Sequence, residues 1–455
     1  MDTALLARLQ FAFTLAFHYI FPPMSIGLAL ILVIMEATYL KTKNRMYEEV
    51  TQFWVKIFSL TFAMGVATGI VMEFEFGTNW ATYSRYVGDV FGSALASEGI
   101  FAFFLESGFL AILVFGWDRV SPKVHFFSTL MVSLGSMMSA VWIIVANSWQ
   151  QTPAGFHIVG HGLTARAEIT DFWQMVFNPS TLQRLSHTLS GAWQAGAFLV
   201  ISVSAYYLLK NKFVEFARFS LKVGLGLALF ASLFQLFTGH QSAAQVSSTQ
   251  PAKLAAFEAH FDSLAPANMH LFGWVDEKDQ KVKYGIQIPG LLSYLVHGDA
   301  SKPVTGLKAF KKADLPPVNF VFQTYHLMVA IGMALIFISL FSVYLFWKKK
   351  LDVKKWWLKI LVASVLLPHA ANQLGWFSAE VGRQPWVVYG LLRTSEGLSK
   401  AVSAGQILFS LILFTFIYAL LFILFIYLLD RKIKHGPEHP GEMKSEYDRQ
   451  QEIFT

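Results

Sequence analysis

The stretch FVFQTYHLMVAIGMALIFISLFSVYLF, residues 320–346, decides the fold. It contains no Asp, Glu, Lys or Arg, and the three lysines 348–350 follow it almost at once. A helix of about 20 apolar residues crosses the hydrocarbon core of a bilayer, so this stretch predicts one transmembrane helix. It also carries two side chains that can bind a metal, His326 and Met328.

The whole chain has the composition of a membrane protein. Of its 455 residues, 55% are hydrophobic and 14% are charged, whereas soluble domains carry roughly 25% charged residues. The absence of Cys excludes disulfides, iron–sulfur ligation and covalent haem attachment. Any haem must therefore be held by His, Met, Tyr or carboxylate side chains. Nothing in the composition suggests nucleic acid, and the first apolar run is interpreted as a retained helix rather than a signal peptide.

Nine apolar runs predict an all-α, polytopic membrane protein. They make one membrane-embedded domain, 1–455, with no clear internal repeat. The predicted transmembrane helices cover residues 11–38, 53–75, 93–116, 125–147, 185–209, 219–238, 320–346, 358–379 and 402–428.

Basic residues in the short loops predict the orientation, because Lys and Arg accumulate on the cytoplasmic side. They cluster after predicted helices 1, 3, 5, 7 and 9, whereas the loop after helix 4 has only Arg166 and Arg184. The N-terminus is therefore expected outside and the C-terminus in the cytoplasm. By alternation, the one long loop, residues 239–319 after helix 6, is external.

Several predicted helices carry ionisable or metal-binding side chains, which are costly inside a bilayer and usually functional. With the predicted orientation, five of them converge near the external side. Glu106 lies about 12 Å further inward than Glu98, at 1.5 Å per helical residue. The five are His18 in helix 1, Glu98 in helix 3, His187 at the start of helix 5, Met328 in helix 7 and Glu380 at the end of helix 8.

Taken singly, these residues have simpler explanations. A lone intramembrane His is as often a hydrogen-bonded packing residue as a ligand, and a helical Met usually fills space. Two other classes of protein compete. One is a haem-free, proton-coupled secondary transporter that uses buried Glu and His, and the other is a non-catalytic scaffold subunit. A transporter predicts half-helix breaks and repeat symmetry, neither of which is found in the sequence.

A series of short motifs in a fixed order separates these alternatives. The motifs are RLQFAFTLAFH at 8–18, GTNWATYSRYVGDVFG at 77–92, SEG at 97–99, FFLES at 103–107, FGWDR at 115–119, SHT at 186–188, KLAAFEAHF at 253–261, HLMV at 326–329 and AEVGRQPW at 379–386. Together, along nearly the whole chain, they resemble the larger subunit of cytochrome bd-type quinol oxidases.

The resemblance implies three haem sites. His187 and Met328 match the axial pair of a low-spin haem b, a ligation that raises the reduction potential and suits electron transfer. His18 and Glu380 match the proximal ligands of two high-spin haems, with Glu98 beside the haem of His18. One of these is a haem b, and the other is haem d or a further haem b in its place. Which of them occupies which site is left open.

The resemblance also assigns roles to other side chains. Lys253 and Glu258 match the quinol-binding residues of the external loop. Arg383 and Trp376 match groups that neutralise haem propionates and pack between haems. Glu106 lies inward of Glu98 on the same helix, and this depth makes it the expected carrier of cytoplasmic protons. The implied activity is that of a quinol:O2 oxidoreductase, electrogenic but not a proton pump. A quinol:acceptor cytochrome without oxygen chemistry is the alternative among haem proteins.

The chain departs from the family's pattern in two respects. His326 stands where many relatives have Arg, which affects the expected low-spin haem potential and quinol geometry. The external loop is short, which resembles the branch that includes cyanide-insensitive members. The expected partners are a second integral membrane subunit, small single-helix subunits, membrane quinol and O2. The expected location is a bacterial or archaeal cell membrane, and the choice of ubiquinol or menaquinol is left open.

Overall fold

The computed structural model describes residues 2–437. Within that range, nine helices are long and apolar enough to cross a membrane, so the predicted all-α architecture with nine spans is confirmed. The spans are Thr3–Thr42, Arg45–Thr78, Gly88–Phe115, Pro122–Gln151, Thr181–Leu209, Val214–Thr249, Val318–Trp347, Lys355–Val381 and Ala404–His435.

The spans and their connections are built from sixteen α-helices and three two-stranded antiparallel hairpins across the described residues. The helices are α1 Thr3–His18, α2 Phe21–Thr42, α3 Arg45–Thr78, α4 Ala81–Tyr86, α5 Gly88–Glu98, α6 Phe104–Phe115, α7 Pro122–Gln151, α8 Phe172–Val176, α9 Thr181–Leu209, α10 Val214–Thr249, α11 Pro251–Phe257, α12 Leu291–His297, α13 Val318–Trp347, α14 Lys355–Ala363, α15 Leu366–Val381 and α16 Ala404–His435. The strands are β1 Phe156–Val159, β2 Arg166–Ile169, β3 Met269–Asp276, β4 Lys281–Ile288, β5 Trp386–Val388 and β6 Leu392–Arg393.

Two of the nine spans are broken. The first divides between α1 and α2, where Pro22 and Pro23 lack the N–H groups that would continue the helical ladder. The eighth divides between α14 and α15, and Pro368 cannot donate to the Ser364 carbonyl. These breaks were not predicted from the sequence, and helix continuity therefore does not argue against a transporter.

The bundle is held together by close packing of small residues and a large apolar core. The spans α2 and α9 approach so closely that a Cβ on Gly27 would lie 2.8 Å from the Gly196 Cα, an arrangement common between membrane helices. Trp54, Phe58 and Phe198 are among the largest side chains fully buried in the core. This packing fixes the relative depth of the helices that carry the candidate ligands.

The two ends of the bundle differ in character. Helix α10 continues to Thr249, so the long loop begins at Gln250 rather than at residue 239. This loop folds as α11, the β3–β4 hairpin and α12, and the Gln250 amide donates to the Gln151 carbonyl at 2.7 Å. The basic loops lie at the other end, where Arg218 pairs with Asp352 at 2.6 Å. The orientation of the bundle in the membrane stays a prediction.

Candidate functional site

His18 is the last residue of α1, at the break in the first span. Its Nδ1 lies 2.9 Å from the Thr68 hydroxyl on α3. The next residue, Gly69, lies beside the ring, and a Cβ built there would be 3.3 Å from the imidazole Cε1. The imidazole is thus held by Thr68 at Nδ1 and lies beside the Gly69 backbone at Cε1. Nε2 is therefore the nitrogen that can bind a metal.

His187, in the second turn of α9, has the same arrangement. Its Nδ1 lies 3.2 Å from the Thr238 hydroxyl on α10, and a Cβ on Gly239 would lie 3.5 Å from Cε1. The Gln235 amide nitrogen is 3.0 Å from Nε2 and 3.1 Å from Nδ1. A group equidistant from both nitrogens approaches the ring face, so the in-plane direction of the Nε2 lone pair stays available.

Met328 on α13 points at a glycine of the neighbouring helix α15. A Cβ on Gly375 would lie 2.9 Å from its sulfur. Asn372 on α15 donates to the Gly191 carbonyl on α9 at 3.3 Å. Gly375 lies about one turn beyond Asn372 on α15, and His187 lies about one turn before Gly191 on α9. Because the two helices are antiparallel, both residues lie on the same side of this contact. Met328 and His187 therefore lie at matching depth, to within about one 5.4 Å helical turn.

Glu380, in the last turn of α15, lies in a dense polar cluster. Its Oε2 accepts from Arg383 at 2.5 Å, and its Oε1 lies 3.6 Å from Arg184. Asn147 and Gln151 of α7 also donate to Oε1, at 3.2 and 3.1 Å. Two guanidinium groups thus share one carboxylate, with Arg383 only 6% exposed, and the cluster carries excess positive charge.

Trp376 connects these groups. Its ring lies 5.4 Å from that of Tyr19, the neighbour of His18, and 5.6 Å from the Arg184 guanidinium. It also follows Gly375, which contacts Met328, and precedes Glu380 by one helical turn. This side chain is therefore central to the three candidate ligand positions.

Lys253 and Glu258 were predicted to act together, yet they face different surroundings. The Lys253 ammonium donates to the Gln151 side chain at 3.0 Å, next to the Glu380 cluster. Burial lowers its pKa well below the usual range, and Arg184 lowers it further. Glu258 instead lies 3.9 Å from His326, and burial raises its pKa to about 8. One oxygen of Glu258 is buried without a hydrogen-bond partner among residues 2–437.

Glu98 and Glu106 both hydrogen-bond to serines of α7. Glu98 accepts from Ser139, and Glu106, which is 7% exposed, accepts from Ser136. A π-helical turn, Gly99–Phe103, lies between the two glutamates, and such turns often mark functional sites. The serines are three residues apart, about 4.5 Å along the helix axis, so adjacent turns of α7 hold the two carboxyl groups.

The side chains present fit haem better than a bare metal ion. Across residues 2–437, no three His, Cys, Asp or Glu side chains gather to hold an ion, but a porphyrin supplies four ligands itself and needs only one or two from protein. A flat macrocycle also needs room beside its ligands, and His18, His187 and Met328 each lie beside a glycine, which presents no side chain. In the described range, the buried Nε groups of Arg184 and Arg383 have no partner and are suitable donors for propionates.

Sequence reasoning missed several members of this site. Arg184 had been counted only as a basic loop residue, although it lies in the first turn of α9 and contacts Glu380. Asn147 and Gln151 lie near the C-terminal end of α7, and nothing in the sequence except their polar side chains indicated that they contact Glu380. The Thr-Gly pairs beside the two histidines could have been found as the same dipeptide at spacings of 50 and 51 residues.

Comparisons with known proteins agree on one family. The family model described as cytochrome bd terminal oxidase subunit I matches residues 6–437. A cytochrome bd ubiquinol oxidase subunit 1 of Bacillus subtilis is 42% identical over 449 residues, covering 96% of this chain and 95% of the relative. The cytochrome bd-II ubiquinol oxidase subunit 1 of Escherichia coli is 34% identical, with 99% of each chain covered.

A third relative and a solved structure extend the comparison. A putative cytochrome bd menaquinol oxidase subunit I of Bacillus subtilis is 34% identical over 436 residues, covering 94% of this chain and 96% of the relative. The structure of bd oxidase from Geobacillus thermodenitrificans matches with a TM-score of 0.89 and 31% identity. That match covers 96% of this chain and 99% of the solved chain.

Proposed function

Because the chain belongs to the cytochrome bd terminal oxidase subunit I family, a family of haem-containing quinol:O2 oxidoreductases, we propose how its own side chains carry out that reaction. His187 and Met328 hold a low-spin haem b. His18 and Glu380 each hold a high-spin haem, of which one is haem b and the other haem d or a further haem b. When bound, these haems supply electron transfer and the iron at which O2 is reduced to water.

The Glu380 cluster orients and neutralises the haems. Together, the guanidinium groups of Arg184 and Arg383 have more N–H donors than the single Glu380 carboxylate can accept. Haem propionates supply the missing acceptors, and the planar guanidinium pairs with such carboxylates through two hydrogen bonds. Trp376 fills the space between the sites, where its ring excludes water and packs against Tyr19.

Quinol oxidation is assigned to the external loop. A quinol releases two protons with two electrons, so its head group needs a proton acceptor. Glu258 is buried, has a free oxygen and has a pKa of about 8, which places it close to ambient pH, as general base catalysis favours. Lys253 lies between this loop and the Glu380 cluster and links the two by its hydrogen bond to Gln151. The relatives' names include both ubiquinol and menaquinol, and both are candidate substrates.

Protons for oxygen reduction come from the opposite side. Glu106 and Glu98, each on a serine of α7, form two steps of a polar path from the interior of the bundle toward His18. Charge crosses the membrane because protons are released at the external loop and taken up from the cytoplasm. No separate pumping device is needed.

We also propose the setting of the reaction. The chain works in a bacterial or archaeal cell membrane beside a second integral membrane subunit. Spans with little burial within the chain, such as Ala404–His435 and Gly88–Phe115, supply surface for that subunit, for small single-helix subunits or for lipid.

One observation supports the proposal: three candidate ligands from three helices each lie beside a glycine of another helix, at which an added Cβ would be 2.9–3.5 Å from the ligand side chain. The test combines a pyridine haemochrome assay of haem content with native optical and EPR spectra of the purified oxidase, which report spin state, and with oxygen consumption on reduced quinol. We expect three haems per complex, loss of the low-spin band in His187→Ala, and loss of high-spin signals in His18→Ala and Glu380→Ala. A haem-free protein would support the transporter instead, and unchanged spectra in all three variants would refute the ligand assignment.

A further inference from the structure

The two histidines are held by the same three-residue arrangement in two separate places. In each, the residue opposite Nδ1 is a Thr, at position 68 or 238, and the next residue is a Gly over which the ring lies. The histidine and its threonine are 50 residues apart in the first case and 51 in the second. Both threonines lie on the span that follows the span of their histidine. A recurrence with this spacing indicates a shared requirement rather than a chance contact.

Each threonine hydroxyl has a carbonyl of its own helix to which it can donate, so its oxygen can accept a hydrogen bond from Nδ1–H. The Thr68 hydroxyl donates to its own helix, at 2.8 Å to the Met64 carbonyl. The Thr238 hydroxyl donates to the Gln235 carbonyl at 3.3 Å. A hydroxyl has a single proton, so once it is used within the helix the oxygen faces the imidazole as an acceptor. This arrangement suits a histidine that carries its proton on Nδ1 and uses Nε2 as the ligating nitrogen.

The glycines supply the second half of the arrangement. Side chains at 69 or 239 would lie against the Cε1 edge, between the two ring nitrogens, where a Cβ would be at 3.3 or 3.5 Å. Their absence allows the ring to rest on the backbone and to keep one orientation. A ligand imidazole needs both properties, a defined tautomer and a defined plane, and residues outside the metal's own ligands usually provide them.

We propose that Thr68 and Thr238 are positioning residues that orient the axial imidazoles of His18 and His187 through Nδ1 and so tune the haems held on Nε2. This inference rests on the proposed function, because it takes both histidines as ligands. A hydrogen bond from Nδ1–H makes the imidazole a stronger electron donor, which stabilises ferric iron. Removing the acceptor raises the reduction potential of the haem, whereas restoring a hydroxyl returns it.

The test compares Thr238→Val with Thr238→Ser in the intact oxidase. Valine has the shape of threonine but no hydroxyl, and serine keeps the hydroxyl. We expect the valine variant to favour the reduced low-spin haem by three- to tenfold, and tenfold corresponds to about 59 mV for one electron. The serine variant should return to within twofold of the wild type. Thr68→Val should change the optical and EPR spectra of the high-spin haem at His18, again with rescue by Ser.

Controls separate this inference from the ligand assignment. Thr61→Val removes a buried hydroxyl that donates to the Ile57 carbonyl of its own helix at 2.9 Å, and it should leave every potential unchanged. His187→Ala should abolish the low-spin spectrum. If it does so while Thr238→Val keeps the wild-type potential, or if Val and Ser shift it equally, the positioning role is wrong but the ligand is right. If His187→Ala keeps the low-spin spectrum, both proposals are refuted.

Discussion

Replacement of Gly375 by Ala tests the Met328 site most directly. The added Cβ would lie 2.9 Å from the Met328 sulfur, whereas nonbonded heavy atoms prefer about 3.5–4.0 Å. The sulfur must therefore move by about 0.6–1.1 Å, which the flexible thioether chain can do without unfolding the bundle. A shift of that size is enough to weaken a coordinate bond, because positions at a reacting centre tolerate errors well below 1 Å.

The expected result is a change of the haem, not of the fold. Thioether ligation raises the haem potential, and each tenfold loss of preference for the reduced state lowers it by about 59 mV. We expect the reduction potential of the low-spin haem to fall by at least roughly 60 mV, with partial conversion to high spin. Redox titration of the α-band measures the potential, and EPR measures the spin state. The matched control is Gly332→Ala, one turn from Met328 on the same helix, where no described atom lies within 4 Å of an added Cβ. A wild-type potential in Gly375→Ala would refute this account of the site.

Three further substitutions address the remaining parts. Burial favours the neutral form of Glu258 and raises its pKa to about 8, so only about a tenth of this carboxyl is ionised at pH 7. We therefore expect kcat/KM for quinol to rise with pH up to about 8. Glu258→Gln should abolish this rise and lower the rate about 100-fold. Glu106→Gln should lower oxygen consumption at least tenfold while leaving the haem spectra intact, and altered spectra would contradict a proton-carrying role. Arg383→Gln should reduce high-spin haem content more than Arg383→Lys does, as measured by haem-to-protein ratio; equal losses would contradict bidentate pairing.

The nine spans could be predicted because membrane insertion depends on composition, which the sequence displays directly. Their ends could not. The sixth helix was predicted at 219–238, but α10 extends over Val214–Thr249. Its last eleven residues, GHQSAAQVSST, are mostly small or polar, so hydropathy registers where the apolar run ends rather than where the helix ends. The helix continues because contacts with α11 and α12 support it.

The breaks in the spans were partly readable. Pro22, Pro23 and Pro368 remove donors in the first turns of α2 and α15, and prolines at such positions mark helix starts. The π-helical turn, Gly99–Phe103, has no comparable signal, because it depends on how α5 and α6 pack against α7.

The candidate ligands could be proposed from residue type, depth and family motifs, but not the groups that hold them. Thr68 and Thr238 are common residues in apolar helices, and their role depends on which helix lies opposite. The separation of Lys253 from Glu258 was also unreadable. The two are five residues apart, and a change of direction at the end of α11 turns one toward Gln151 and the other toward His326.

Charge balance at the Glu380 cluster connects the fold to the cofactor. Arg184 and Arg383 bring two positive charges to the single carboxylate of Glu380, and buried Lys253 lies next to them. An uncompensated buried charge costs several kcal/mol, a large part of the roughly 5–15 kcal/mol by which proteins are stable. The cluster is therefore poorly balanced on its own and well balanced once further carboxylates enter. If Glu380 binds a haem iron as proposed, the haem propionates bring such carboxylates to the cluster, and the positive excess that destabilises the protein alone then stabilises the loaded enzyme.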